Sequence, residues 1–168
     1  TIYFPVGSYL IGSSLGDIPE DTRLQGANKA SCKILRGFSG GYMANLLDGA
    51  SLDNLWLDGN GGAYTGGILN MPVNNGNQNV TNCKAINAAG GTPIHFEVPT
   101  TTTAGGSRSN WINIEAWRSD GAQGSDNYAV VVDDAGAGVG QGFPISFVHL
   151  ETGGYCSIDF GSCGDFYV

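Results

Sequence analysis

Asn110-Trp111-Ile112-Asn113-Ile114-Glu115-Ala116 alternates apolar and polar side chains at the two-residue spacing of a β-strand, and runs of the same kind occupy 54–60, 79–85 and 145–151. A second set interleaves with the first, at 67–71, 93–98, 128–132 and 155–160. Gly and Asn punctuate the runs, and the pattern returns roughly every 25 to 35 residues, a period that signals a stacked repeat architecture. Aligned by hand, Leu55/Leu57, Ile112/Ile114 and Val148/Leu150 take equivalent inward places, with Cys83/Ala85 in the intervening coil. Ile94/Phe96, Val130/Val132 and Ile158/Phe160 do the same in the second set. The expected fold is all-β, a right-handed parallel β-helix (β-solenoid) of about six coils, in which stacking buries columns that no single coil could bury alone. Corners between sheets need residues that tolerate the left-handed backbone region, and Gly and Asn supply them at least cost.

The 168 residues make one domain, 1–168, expected to be a piece of a longer chain. The only candidate for a helix, 41–47, is short and flanked by glycine. Charged residues are 13% of the chain against an ordinary ~25%, so Gly, Ser, Thr and Asn must form much of the polar surface. A net charge of −8 with seven scattered basic residues excludes a phosphate-neutralising surface, so nucleic acid is not an expected partner. No apolar stretch is long enough for a helical membrane span, and no signal peptide is visible. Cys32, Cys83, Cys156 and Cys163 lack zinc-site spacing; a Cys156–Cys163 bridge is one arrangement the spacing allows. Longer loops are expected at 100–108, 119–127 and 133–142, and insertions of this kind fall on one face of a solenoid.

The opening Ile2-Tyr3-Phe4-Pro5-Val6-Gly7-Ser8-Tyr9-Leu10-Ile11 resembles the first coil of pectate-lyase-like right-handed β-helices, in which a strand is followed by Pro-x-Gly-x-Tyr and a second strand. Asp21-Thr22-Arg23-Leu24-Gln25-Gly26 is similar to the second coil of that group, and Asn79-Val80-Thr81-Asn82-Cys83 to its later ones. Within the group the chain most resembles phage tailspikes and tail fibres. The resemblance implies a homotrimer, located in the virion or alternatively secreted, that contacts other virion proteins and binds, and often cleaves, bacterial surface polysaccharide. It implies no cofactor. Secreted lyases of this fold carry calcium-binding Asp clusters and a basic catalytic residue, and no match to that set is present, so hydrolysis ranks ahead of lyase chemistry.

Strand parity assigns the outward positions. Asp58, Lys84, Glu115 and Glu151 are expected to form one outer column with successive members ~4.8 Å apart. Carboxyl groups about 5 Å apart suit a retaining glycosidase, and their repulsion raises one of the two pKa values. Glu115 and Glu151, with Asp58 in the same column, are therefore the candidate catalytic residues; the competing reading is a solvated ladder closed by Lys84 or Arg118. Trp56 and Trp117 are candidates for stacking on sugar rings, or alternatively for a trimer interface or packing under a loop. His149 and Asn113 complete the candidate binding set. A second outward column holds His95, Glu97, Asp133, Ser157 and Asp159, with His95 more ordinarily a polar surface residue. Asp133-Asp134 does not have the spacing of an EF-hand loop, and no metal is expected.

Overall fold

The computed structural model describes residues 1–72, 77–98, 109–119, 128–134, 145–153 and 156–159. Among these residues the chain is all-β, without a helix. Its strands are β1 (Ile2–Phe4), β2 (Gly7–Ile11), β3 (Asp17–Ile18), β4 (Arg23–Gly26), β5 (Cys32–Arg36), β6 (Tyr42–Leu46), β7 (Ser51–Asp53) and β8 (Trp56–Asp58). There follow β9 (Gly67–Met71), β10 (Asn79–Ala88), β11 (Ile94–Val98), β12 (Ser109–Arg118), β13 (Tyr128–Asp134), β14 (Ile145–Gly153) and β15 (Cys156–Asp159). They form two sheets. Sheet A holds β1, β2, β4, β5, β7, β8, β10, β12 and β14; sheet B runs β15-β13-β11-β9-β6-β3. Every pairing between named strands is parallel. Early in the chain two visits to sheet A precede each visit to sheet B; from β10 onward the two visits merge into one long strand. This arrangement fits a parallel β-solenoid.

The corner within sheet A has the same backbone feature before and after the strands merge. Asn54 lies between β7 and β8 with φ 57°, and Asn82, Asn113 and His149 lie inside β10, β12 and β14 with φ of 51°, 57° and 57°. The flanking registers, Thr81 on Ile112 on Val148 and Cys83 on Ile114 on Leu150, set Asn82, Asn113 and His149 in one file along the sheet. Each residue bends its strand in the left-handed region, which Asn and His tolerate better than most L-residues. The Asn113 amide donates to Asn82 Oδ1 at 2.7 Å, so the amides also bond along the file.

The core lies between the inner faces of the two sheets. Leu24, Leu52, Val80 and Trp111 stack on successive strands of sheet A and are all buried. Trp111 meets Phe96 of sheet B edge to face, ring centroids 5.1 Å apart. Leu55, Leu57, Cys83, Ala85, Ile94, Phe96, Val130 and Val132 are buried, as their alternation predicts. Ile158 and Phe160 lie where no side chain is described.

Three expectations are corrected. First, residues 41–47 are not helical: Tyr42–Leu46 is strand β6, pairing with Gly67–Met71. Second, Ile112 and Val148 do not point inward; they are 42% and 56% exposed. The left-handed Asn113 and His149 flip the parity, so Ser109 and Trp111 before the bend and Ile114 and Ala116 after it are the buried positions on β12. Third, the β12 partners of Cys83 and Ala85 are Ile114 and Ala116, two residues beyond the hand alignment.

Arg36 closes the far end of β5. It is fully buried, and its guanidinium donates to the carbonyls of Gly40, Gly41, Thr65 and Gly67 while covering the Phe38 ring. Burial lowers its pKa. A Cβ on Gly66 would collide with this guanidinium, so a glycine stands there.

Candidate functional site

The opening of the chain folds as its sequence suggests. Pro5 and Val6 separate β1 from β2, which opens at Gly7, and the Tyr9 hydroxyl donates to the Pro5 carbonyl at 2.9 Å. Beyond β5, parity along sheet A builds a mixed column on the outer face. Lys33 pairs with Trp56, Trp56 with Lys84, Lys84 with Glu115, and Glu115 with Glu151. Neighbouring members stand one strand apart, about 4.8 Å.

Charge decides how this column packs. Lys33 Nζ sits 3.6 Å from the centroid of the Trp56 ring and Lys84 Nζ 5.4 Å from it, both within cation–π range. Lys84 also reaches Glu115 Oε2 at 2.8 Å. The other Glu115 oxygen, Oε1, is taken by Lys29 at 2.9 Å. Burial pushes the Glu115 carboxyl up, but hydrogen bonds and charge from Lys84 and Lys29 outweigh it and hold the group below the usual glutamate range. The carboxylate is thus kept ionised.

Lys29 comes from the turn between β4 and β5. Asn28 Oδ1 accepts from the backbone N–H groups of Ala30 and Ser31, a side-chain turn that lifts Lys29 off the strand path. From there its ammonium crosses β7 and β10 to reach β12, where it also lies 3.5 Å from Asn113 Oδ1. Gly26 lets this turn pack closely: a Cβ there would come within 2.3 Å of the Asn54 carbonyl.

The sequence-derived candidates divide as follows. Glu115 and Glu151 are register partners on β12 and β14, as expected, and Glu151 is exposed. Asn113 and His149 stand beside them at the bend of the same strands, with His149 exposed. Trp56 joins the column two strands away from Glu115, half-buried between lysines. Asp58 does not belong to it. Its register partners are Leu35 and Ile86, and Ile86 in turn pairs with Trp117. Asp58 is 4% exposed and holds Lys33 Nζ at 2.9 Å, the Asn60 N–H at 2.9 Å and the Asn87 amide at 3.0 Å. It is a buried anchor for Lys33, because Gly59 and Asn60 turn the chain over it. Trp117 is half-buried, and the indole nitrogens of both Trp56 and Trp117 are buried without a hydrogen-bond partner.

Sequence reasoning missed Lys29 and Lys33. Lys33 was within reach, since Cys32-Lys33-Ile34 repeats the pattern of Leu55-Trp56-Leu57. For Lys29 no sequence signal exists, because its partners lie 84 residues on in Asn113 and Glu115 nearby.

Sheet B carries an amide-rich counterpart. Asn45 donates to Asp17 at 2.7 Å, Asn70 donates to Asn45 at 3.3 Å and to Glu97 at 3.2 Å, and His95 Nδ1 lies 2.8 Å from Asn70 Oδ1. The His95 ring stacks on Tyr42 at 5.7 Å. Glu97 is the register partner of Asp133, whereas Asp159 pairs with Val131; the side chains of Asp133, Ser157 and Asp159 lie outside the description. Among the described residues no group of three or more metal-ligating side chains comes together. Cys32 and Cys83 are buried free thiols, and burial pushes Cys83 up to about 12. Cys163 and the Cys156 side chain lie outside the described residues.

Comparison with family models, with curated proteins and with solved structures returns no match to this chain.

Proposed function

We propose that the chain is a right-handed parallel β-helix of about six coils, and that it forms the glycan-recognising part of a virion spike or fibre. On this reading it is a homotrimer, joined to other virion proteins and acting outside the cell on bacterial surface polysaccharide. The regular sequence of visits to the two sheets supports the fold, together with the resemblance of the opening around Pro5, Gly7 and Tyr9.

The observation that carries the function is the outer column Lys33-Trp56-Lys84-Glu115-Glu151. It offers ammonium, indole, carboxylate and, from Asn82 and Asn113, amide groups at regular ~4.8 Å steps across successive strands, a surface suited to an extended polar polymer. Recognition is favoured over cleavage because both Glu115 oxygens are bound by lysine ammonium groups. A carboxylate so held is a poor nucleophile and has no proton to donate.

The register of Glu115 on Glu151 favours a second reading, a polysaccharide depolymerase of the hydrolase type. One experiment separates them. Purified protein is incubated with surface polysaccharide from candidate bacterial hosts, and retention of the polymer, new reducing ends and unsaturated uronate absorbance are recorded. Retention without new ends is the expected result. New reducing ends lost on Glu151→Gln would establish the hydrolase. Neither binding nor cleavage on any polysaccharide would leave a purely structural fibre or capsid decoration.

A further inference from the structure

Three side chains from distant parts of the sequence meet on the outer face of sheet A in an arrangement that ligand recognition does not need. Lys29 Nζ touches Glu115 Oε1 at 2.9 Å and lies 3.5 Å from Asn113 Oδ1. The Asn113 amide nitrogen is bound to Asn82 Oδ1 at 2.7 Å, which turns its carbonyl toward the lysine. Asn113 is fixed further by its left-handed backbone, φ 57°. Lys29 and Glu115 are largely withdrawn from water, with side chains 23% and 14% exposed. An amine, a carboxamide and a carboxylate so placed are the reactants and the base of a transamidation. The 2.9 Å contact lies within the reach required of a general base, and the amine meets the carboxamide at its oxygen, 3.5 Å away, on the group whose Cγ it would attack.

We propose that Lys29 and Asn113 form an intramolecular isopeptide bond, with Glu115 as the base that drives it. Glu115 takes a proton from the Lys29 ammonium, and the freed amine attacks Cγ of Asn113. The new bond is Nζ–Cγ, and the bond that breaks is Cγ–Nδ2. Glu115 returns its proton to Nδ2, and the departing ammonia also takes the second proton shed by the lysine nitrogen. One lysine ammonium and one carboxamide thus become one secondary amide and one ammonium ion; no oxidant, reductant or further reactant is consumed. The second lysine, Lys84, holds the other oxygen of Glu115 and is a positioning residue rather than a reactant.

The bond would tie the β4–β5 turn to β12 and close a covalent loop between positions 84 residues apart. Such a strap spans the strands between β4 and β12 and restrains the unfolded chain as a long-loop disulfide does, without depending on redox conditions.

The test is intact-mass measurement on the purified folded chain after prolonged incubation at neutral pH, followed by peptide mapping. The expected result is a mass lower than the sequence mass by one ammonia, and a branched peptide joining Lys29 to Asn113. Lys29→Arg, a change in the turn between β4 and β5 that keeps the positive charge, should restore the full sequence mass, as should Glu115→Gln. Asn113→Asp should instead lose one water, because the same attack then expels hydroxyl; this variant keeps the chemistry open if Glu115→Gln fails to fold. Lys84→Arg should still lose ammonia. A wild-type mass equal to the sequence mass would overturn the proposal and leave Lys29 as an ion-pair strap. Loss of ammonia that persists in Lys29→Arg would place the reaction elsewhere and overturn it equally.

Discussion

Sheets A and B face each other across one core, yet they handle their strands differently. Sheet B strands run without a left-handed residue inside them, and β11 and β13 bury every second side chain from Ile94 to Phe96 and from Val130 to Val132. Among the long strands of sheet A, β12 and β14 carry one left-handed residue each and β10 carries two, Asn82 and Asn87, and the inside–outside pattern changes phase there. A straight strand can only repeat one face. A bent one turns two faces, so β12 places Trp111 in the core and its neighbour Ile112 in solvent, then returns Ile114 to the core. The bend is also what sets Asn113 and Glu115 on a common outer surface with Lys29. The straight sheet keeps a simple amide ladder instead, from Asp17 through Asn45 and Asn70 to His95.

The core contact between the sheets gives the largest expected effect. Trp111→Ala and Phe96→Ala should each cost about 3–5 kcal/mol in urea unfolding, the range for emptying a buried aromatic site. Their rings meet edge to face, so the double variant should cost less than the sum by about 0.5–1.5 kcal/mol. Strict additivity would mean that the two sheets do not share this contact.

The bend comes next. Asn82→Ala forces an alanine into φ 51° and removes the acceptor of the Asn113 amide; about 1–2 kcal/mol should be lost. Asn82→Gly removes the same side chain but tolerates the backbone, and should recover much of that loss. Equal losses in both variants would put the cost in the amide contact and none in the bend.

The charged column should matter less. In a Lys29→Arg background, where no covalent strap can form, Glu115→Gln should cost about 1 kcal/mol at neutral pH, the upper range for an ion pair only partly withdrawn from water. Its pH dependence has a definite sign. The folded-state pKa of Glu115 is lowered, so its contribution is present above the ordinary glutamate value of about 4.3 and is lost as pH falls through the lower folded value. The gap between Lys29→Arg and the Lys29→Arg/Glu115→Gln double variant, followed by thermal unfolding, should therefore narrow as pH falls below about 4.3. A gap that widens toward acid would mean that the lysine clamp is absent in solution.

Much of this was legible in the sequence, and the errors about which side chains face outward share one cause. Leu55, Leu57, Cys83 and Ala85 were read correctly because no left-handed residue interrupts 55–57 or 83–85, where alternation holds. Ile112 and Val148 were misread because the next residue in each case, Asn113 or His149, resets the alternation, and nothing in either side chain announces a positive φ. Asp58 was set in the column because Leu55/Leu57 were aligned with Ile112/Ile114, which puts Asp58 opposite Glu115. The file of bends instead sets Asn54 against Asn82, which moves Trp56 onto Lys84. The Glu115–Glu151 adjacency survived that shift, since both residues follow their own bend by two positions. Lys29 lay beyond sequence reasoning altogether, because a turn has no register with the strands its side chain crosses.

The smallest expected effect tests the change of phase most directly. Ile112→Thr replaces an exposed apolar side chain on β12 with a β-branched polar one, so strand preference is kept and only exposed hydrocarbon is lost. Stability should stay within about 0.5 kcal/mol of wild type, as for surface changes generally. Ile94→Thr, at a fully buried place on the straight sheet, should cost several times more through the lost packing and the buried hydroxyl. A large cost at Ile112 that is independent of protein concentration would put this side chain in the core and remove the bend. A cost that grows with protein concentration would mean that Ile112 and its neighbour Val148 are covered by another copy of the chain, since only association makes apparent stability depend on concentration. The bend would then stand, and its outward apolar pair would be the place where subunits meet.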